Sequence, residues 1–203
     1  MTGAPQEVVV TGLGATTPLG GDVASTWEAM LAGRSGVKNI DDEAHAWVRR
    51  FDLPVRIAAP LAVSPLDVLP RVQARRLDRC EQVAIVAAKE AWAHAGLGEP
   101  GESVDPERLA VVIGTGIGGA VTLLDQDDLL EGPGLRKVSP LTVPMLMPNG
   151  PAAWVGLEFK AQASVHSPVS ACASGAKALA WAVQGPLQEA AGVDLKGASD
   201  VLV

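Results

Sequence analysis

The sequence is poor in aromatic and charged residues. Of its 203 residues, 3% are aromatic and none is tyrosine, whereas 48% are hydrophobic and 19% are charged. This composition excludes a disordered or fibrous protein and predicts a globular core built from Ala, Val, Leu and Ile. The formal net charge of −7, with few basic clusters, argues against a nucleic-acid partner. The length suits one domain or part of a larger one.

Cysteine is also scarce, and no apolar run is suited to a membrane. Cys80 and Cys172 form no C-x-x-C pair, so the sequence predicts no zinc or redox metal site. The longest uncharged stretch, residues 138–157, contains four prolines, which excludes a membrane span. The first ten residues lack a basic region and predict no signal peptide. We therefore expect a cytoplasmic protein with reduced thiols and no membrane partner.

Short apolar runs alternate with helical segments, which predicts an α/β layered fold. A helix is predicted to begin at a capping box formed by Ser25 and Glu28, and Gly33 and Gly96 are predicted to end helices. Loops rich in proline are predicted over residues 34–70 and 132–151. The predicted strands are Val8–Thr11, Leu109–Ile113 and Ala163–Val169. Three further helices are predicted: one over residues 71–95, one from the loop that ends at Gly119 to about Leu130, and one that begins at about Ala173.

The segment Ser170–Gly175, with the sequence SACASG, predicts a nucleophile. It places Cys172 on a turn between a strand and an alanine-rich helix, where the helix N-terminus favours a thiolate. Its small neighbours would let an acyl group approach the sulfur, and the backbone N–H of Cys172 could donate to a developing oxyanion. The alternative from spacing alone is that Cys172 is a small buried hydrophobic residue, as many free cysteines are.

Several ordered motifs resemble one family. The nucleophile segment PVSACASGA, the N-terminal VVVTGLGATTPLG with STWEAMLAGRSGV, and the central GTGIGG and RKVSPLTVPMLMPNG are similar to those of the β-ketoacyl-acyl-carrier-protein synthases. The resemblance is to the type II elongating condensing enzymes and covers residues 8 to about 183. The whole chain, residues 1–203, is then expected to be the N-terminal portion of such a synthase. Residues 184–203 diverge from the family pattern, and Gly185-Pro186 is expected to break the last helix early.

The resemblance implies a fold, a mechanism and a substrate site. The fold would be the N-terminal half of a thiolase-like layered αβαβα arrangement with a mixed sheet and buried helices, in a homodimer. Cys172 would take an acyl chain from acyl carrier protein, and decarboxylation of malonyl-carrier protein would supply the carbanion that attacks this thioester. The substrate-binding residues implied by the resemblance are Gly116, Ile117, Thr142 and Ala173.

The glycine loop has a second interpretation. Gly114-x-Gly116-x-x-Gly119 after a strand matches the dinucleotide fingerprint literally. However, no acidic residue ends a second strand about 20 positions later, because Glu131 falls in a predicted loop. A nucleotide-dependent reductase is therefore the weaker hypothesis, and we expect no cofactor.

Basic residues cluster in this acidic chain. Arg71 and Arg75 share a predicted helix face, which on sequence alone is equally typical of a solvated surface. The resemblance implies a role in docking acyl carrier protein, whose acidic surface would be attracted by them. The residues implied in this dock are Arg71, Arg75, Arg76, Arg136 and Lys137.

Catalytic partners for Cys172 are not evident in the sequence. His45, His94 and His166 do not occupy positions expected of a catalytic partner, and the resemblance places two catalytic histidines and a lysine in the second half of the fold. We therefore expect the 203-residue chain not to condense by itself. The alternative hypothesis is a non-catalytic or truncated partner chain that dimerises or binds carrier protein. The cysteine at position 172 favours the enzyme.

Overall fold

The computed structural model describes residues 8–42, 45, 47–190 and 200–202. Short 3₁₀ turns at Pro106–Arg108, Leu135–Lys137 and Ala171–Ala173 link the regular elements. Those elements are, in chain order, α1 (Val23–Leu31), β1 (Lys38–Asn39), α2 (Trp47–Arg50), β2 (Ile57–Ala58), α3 (Pro65–Val68), α4 (Arg71–Ala74), α5 (Arg79–His94), β3 (Leu109–Val112), α6 (Ala120–Glu131), α7 (Thr142–Leu146), α8 (Gly150–Phe159), β4 (Ser164–His166), α9 (Ser174–Ala190) and β5 (Asp200–Leu202).

A three-stranded parallel sheet lies at the centre of the described chain. β3 is the middle strand, with β4 on one side and β5 on the other, and Val111 is in register with both Val165 and Leu202. All four residues of β3 are buried, as expected of a parallel strand covered on both faces. The predicted strand at Leu109 is thus confirmed, whereas the third strand is shorter than the predicted Ala163–Val169.

The core joins this sheet to two helices. α5 and α8 pack against each other and α8 packs against β3, which buries Ile85, Val111 and Val155. The rings of Trp92 and Phe159 stack at 4.7 Å in the same cluster. The predicted aliphatic core is therefore correct except at this aromatic pair.

Helix boundaries differ from the predictions in two places. α1 is capped by Asp22, whose Oδ1 accepts from Ser25 N (2.7 Å), so the predicted cap at Ser25 is wrong by one turn. The predicted helix over residues 71–95 is two helices, because α4 ends at Ala74 and Asp78 caps a new helix, α5. The predicted glycine ends are correct, since Gly33 and Gly96 both follow helices with positive φ.

The predicted strand Val8–Thr11 is not formed. These residues have no regular secondary structure, and Val9 and Val10 are exposed. The chain continues across α5, where a Cβ at Gly14 would collide with Ala87 O. Close packing of backbone on backbone, and not a β-ladder, holds the segment after residue 11.

Two further predictions, both based on proline, are wrong. Residues 132–151 were expected to form a loop, but they contain α7 and the start of α8, whose second residue is Pro151. The pair Gly185-Pro186 was expected to break the last helix, yet α9 continues to Ala190. Proline is tolerated in the first turn of a helix, which explains α8, and it does not stop α9. None of the described helices is long and apolar enough to cross a membrane.

Candidate active site

A strained turn presents Cys172 at the start of α9. Ala171 has φ 47°, a left-handed conformation that costs a non-glycine residue about 1–2 kcal/mol. Ser174 stabilises the turn, because its Oγ accepts from Ser170 N (2.9 Å) and donates to Ala171 O (2.7 Å). Ser174 is buried and Cys172 is exposed, so the turn holds the thiol at the surface on a fixed backbone.

The second cysteine lies in a different environment. Cys80 is half-buried in the first turn of α5. Burial, together with hydrogen bonding to the adjacent Asp78 carboxylate, raises the pKa of Cys80 to about 12. Because the thiolate is the reactive form, this shift disfavours reaction at Cys80 at neutral pH.

The glycine loop of residues 114–119 packs directly on this turn. A Cβ at Gly114 would collide with Ser174 O, and one at Gly116 would lie 3.8 Å from Ala171 O. The loop is also tied to the chain before α8, since Thr115 Oγ1 donates to Pro148 O (3.0 Å). Glycine is therefore required at position 114 to let the loop approach the nucleophile turn, which gives the motif a role without a nucleotide.

The structure brings together some of the predicted substrate residues. Ala173 follows Cys172 directly, and Gly116 lies against Ala171. Ile117 is on the same loop and is 72% exposed. Thr142 lies farther along, at the first residue of α7, where its Oγ1 donates to Ser139 O (2.6 Å).

The predicted basic residues lie in two exposed groups, which we call the basic surface. Arg71 is on α4, and Arg75 and Arg76 lie between α4 and α5. Arg136 and Lys137 are on the 3₁₀ turn that packs against α6. All five are exposed, and within the described part of the chain none of the five forms an ion pair.

An acidic pair beside the loop was missed at the level of sequence. Asp78 and Glu81 form a capping box at the start of α5, in which Glu81 Oε2 accepts from Asp78 N (2.9 Å). Asp78 Oδ2 also accepts from Thr122 N (3.0 Å) and Thr122 Oγ1 (2.7 Å) in α6. The Asp-x-x-Glu spacing was a readable signal for this helix start, but its contact with α6 was not.

The two carboxyls of this pair have opposite pKa shifts. Burial works against ionisation of Asp78, but hydrogen bonds from Thr122 and Cys80 outweigh it and lower its pKa. Burial raises the pKa of Glu81 to about 7, and the neighbouring Asp78 charge adds to the effect. Glu81 Oε1 is buried and has no hydrogen-bond partner among the described residues.

The three histidines have local partners. His94 Nδ1 accepts from Leu13 N (3.1 Å), and His45 Nδ1 lies 2.7 Å from Asp42 Oδ1. His166 packs edge-on against Trp181 at 5.9 Å. Over the described ranges, no group of three or more His, Cys, Asp or Glu side chains could hold a metal ion.

Comparison with known proteins shows which family shares this arrangement. The family described as "Beta-ketoacyl synthase, N-terminal domain" matches residues 5–202. The chain is 45% identical over 177 residues to 3-oxoacyl-acyl-carrier-protein synthase 2 of Mycobacterium tuberculosis, covering 87% of this chain and 41% of that protein. It is 37% identical over 178 residues to the synthase 2 of Staphylococcus aureus, covering 86% of this chain and 41% of that protein.

Solved structures agree with the sequence match. A β-ketoacyl synthase from Burkholderia phymatum superposes with a TM-score of 0.70 at 28% identity, covering 89% of this chain and 43% of that one. The ishigamide ketosynthase/chain length factor shares the fold, with a TM-score of 0.75 at 19% identity, covering 92% and 45% of the two chains. The predicted fold class, the N-terminal half of a thiolase-like α/β fold, is confirmed.

The chain belongs to the β-ketoacyl synthase family. It spans about two fifths of the length of the curated relatives that it matches. The family match extends to residue 202 and therefore includes the tail after residue 183, although residues 191–199 lie outside the described residues.

Proposed function

We propose that this chain supplies the nucleophile of a 3-oxoacyl-acyl-carrier-protein synthase, an enzyme that lengthens acyl chains in fatty-acid or polyketide synthesis. The observation that carries the proposal is the exposed Cys172 on a strained turn at the start of α9. The glycine loop packs on this turn without a side chain at Gly114 or Gly116, and the relatives of the chain are named as synthases of this kind.

The reaction consists of two transfers at Cys172. First, Sγ attacks the carbonyl carbon of an acyl thioester, the bond to the carrier sulfur breaks, and the thiol proton passes to the departing carrier thiolate. Then malonyl-carrier protein loses CO₂, and the carbanion attacks the acyl-cysteine carbonyl. A carbon–carbon bond forms, 3-oxoacyl-carrier protein is released, and the departing Cys172 thiolate takes up a proton from solvent, which regenerates the thiol. The backbone N–H of Cys172 is the proposed donor to the oxyanion in both steps.

The acyl chain is proposed to lie between the nucleophile turn and the glycine loop. Gly116 and Ala173 have no bulk to block the sulfur, and Ile117 offers an exposed apolar side chain on the same loop. Thr142, at the start of the helix packed on α6, is proposed to bound the chain farther from the sulfur.

The basic surface is proposed to dock acyl carrier protein. Its charges are exposed and unpaired within the described residues, so they are available to an acidic partner without breaking existing ion pairs. α6 connects its two groups, because Asp78 bonds to Thr122 beside one group and the turn at residues 135–137 packs on α6 at the other. A related ketosynthase, 20% identical, is known in a complex with an acyl-carrier protein.

A homodimer in the cytoplasm completes the proposal. β4 lies at an edge of the described sheet, and its Val165 is 43% exposed. An edge strand with an exposed apolar side chain can pair with a second copy. The edge would then be covered in the assembled enzyme.

The decisive experiment is acylation of the purified 203-residue chain with an acyl thioester, followed by peptide mass mapping. We expect the acyl group on Cys172 and none on Cys80. Cys172→Ala should abolish acylation, and Cys80→Ala, the matched control, should leave it unchanged. Acylation of Cys80, or none at either cysteine, would overturn the enzyme proposal. Carrier binding without acylation would instead favour a non-catalytic partner chain.

A further inference from the structure

Asp78 is a buried carboxylate that caps two helices at once. Its Oδ1 accepts from Cys80 N (2.9 Å) in the first turn of α5. Its Oδ2 accepts from both the backbone N and Oγ1 of Thr122, which is in the first turn of α6 and 44 residues away in sequence. Gly119, which precedes α6, has no side chain to cap that helix, so Asp78 supplies its cap.

The start of α6 is also the end of the glycine loop. At this end Gly119 N donates to Leu146 O (3.1 Å), and a Cβ at Gly118 would lie 2.7 Å from Pro148 Cα. At the other end Gly114 and Gly116 lie against the nucleophile turn. The contact between Asp78 and Thr122 therefore joins α5 to a loop whose far side touches the Cys172 turn.

We propose that Asp78 is a positioning residue for acyl binding: through Thr122 it fixes the α6 end of the glycine loop and thereby sets the place of Ile117 relative to Cys172. This inference rests on the proposed function, in which Ile117 contacts the acyl chain. Because Ile117 is 72% exposed, its own packing does not fix it, and its position depends on the loop backbone.

The chain offers substitutions that separate this role from ordinary capping. Asp78→Ser keeps a good cap for α5, but the shorter side chain cannot also reach Thr122. Thr122→Val removes the Oγ1 donor while keeping the shape, and Thr122→Ser restores the donor. Asp22→Ser makes the same replacement at the exposed cap of α1, which serves one helix only, and is the matched control.

Hydrogen exchange tests the structural part on the full 203-residue chain, whether or not it is an enzyme. In Asp78→Ser and Thr122→Val we expect the amide of Gly119, which donates to Leu146 O at the α6 end of the loop, to exchange about 10-fold to 100-fold faster, as for loss of a hydrogen bond to a charged group. The amides of β3 should be unchanged, and Thr122→Ser should restore protection. Unchanged exchange at the amide of Gly119, or equal acceleration throughout the chain, would overturn the proposal.

Acylation rates test the functional part. Each variant is treated with acetyl and octanoyl thioesters of the same thiol, and the rates of Cys172 acylation are compared. We expect the octanoyl rate to fall roughly 10-fold or more relative to the acetyl rate in Asp78→Ser and Thr122→Val, but not in Asp22→Ser or Thr122→Ser. Equal loss for both thioesters would mean a merely structural role. If the unsubstituted chain is not acylated at all, the proposed function fails, while hydrogen exchange still decides whether Asp78 positions the loop.

Discussion

Replacement of Glu81 by glutamine should change how stability depends on pH. Glu81 is fully buried, Oε2 caps α5, and Oε1 has no partner among the described residues. Burial raises the pKa of Glu81 from 4.5 to about 7 in the folded chain. The folded state therefore binds a proton more tightly than the unfolded state, so stability is fully present below about pH 4.5 and is lost as the pH rises to about 7.

The size of the effect follows from the two pKa values. The difference between 4.5 and about 7 corresponds to at most about 3.5 kcal/mol, at about 1.4 kcal/mol for each pH unit. Asp78, whose pKa is lowered, contributes in the opposite direction, but its stabilisation is lost only as the pH falls below its ordinary value of 3.8. Between about pH 4.5 and about pH 7, the change in stability that this pair causes therefore comes from Glu81.

Urea unfolding followed by tryptophan fluorescence measures the effect. Glu81→Gln keeps an acceptor for Asp78 N but cannot ionise, so its advantage over the unsubstituted chain should grow by about 2–3 kcal/mol between about pH 5 and about pH 8. Glu99→Gln, which removes an exposed carboxyl, is the control for the change in net charge. A parallel pH dependence of the unsubstituted chain and Glu81→Gln would show that Glu81 ionises normally, and the reasoning from burial would then be wrong.

Five further outcomes are expected. Reversal of Arg75 and Arg76 to Glu should weaken carrier-protein binding several-fold to tens-fold at low salt and much less at high salt, since each exposed ion pair contributes about 0.2–1 kcal/mol. If a binding titration at low salt gives the reversed and the unsubstituted proteins the same affinity, the basic surface is only a solvated face. Gly114→Ala should collide with Ser174 O, slow Cys172 acylation and cost about 1–3 kcal/mol in urea unfolding. Phe159→Ala should cost about 3–5 kcal/mol by the same measurement. Sedimentation at micromolar concentration should show self-association of the 203-residue chain. Mass spectrometry of the same chain, incubated with its thioester substrates, should show acyl-enzyme but no condensation product.

Features set by adjacent residues were predictable from the sequence. The strand at Leu109 is a short apolar run, and all of β3 is buried as that pattern predicts. Gly33 and Gly96 could be placed because a helix end with positive φ favours glycine. The turn at Cys172 was predictable because small residues precede an alanine-rich helix there. In the structure this turn contains Ala171 in a left-handed conformation.

Features set by long-range packing were not predictable in this way. The segment at Val8–Thr11 has the composition of a strand but is not paired with one in the described chain, because a strand requires a neighbour as well as a propensity. Pro151 and Pro186 were interpreted as breakers, yet Pro151 lies in the first turn of α8 and Pro186 lies within α9. For α8, packing between α5 and β3 stabilises the helix despite the prolines that predict a loop over residues 132–151.

The break between α4 and α5 shows how a distant contact adds to a local signal. Residues 71–95 contain no proline or glycine, so the local sequence favours one helix. In such a helix Asp78 N would bond to Ala74 O, but it donates instead to Glu81 Oε2. The freed Ala74 O accepts from the buried Gln82 Nε2 (3.0 Å), so the break leaves that carbonyl satisfied. Breaking the helix turns the Asp78 carboxylate toward Thr122, and a charged hydrogen bond to a helix start contributes more than the neutral backbone bond that is lost. The capping box of Asp78 and Glu81 is a local signal for the break, whereas the contact with Thr122, 44 residues farther along the chain, is a contribution that no local pattern could reveal.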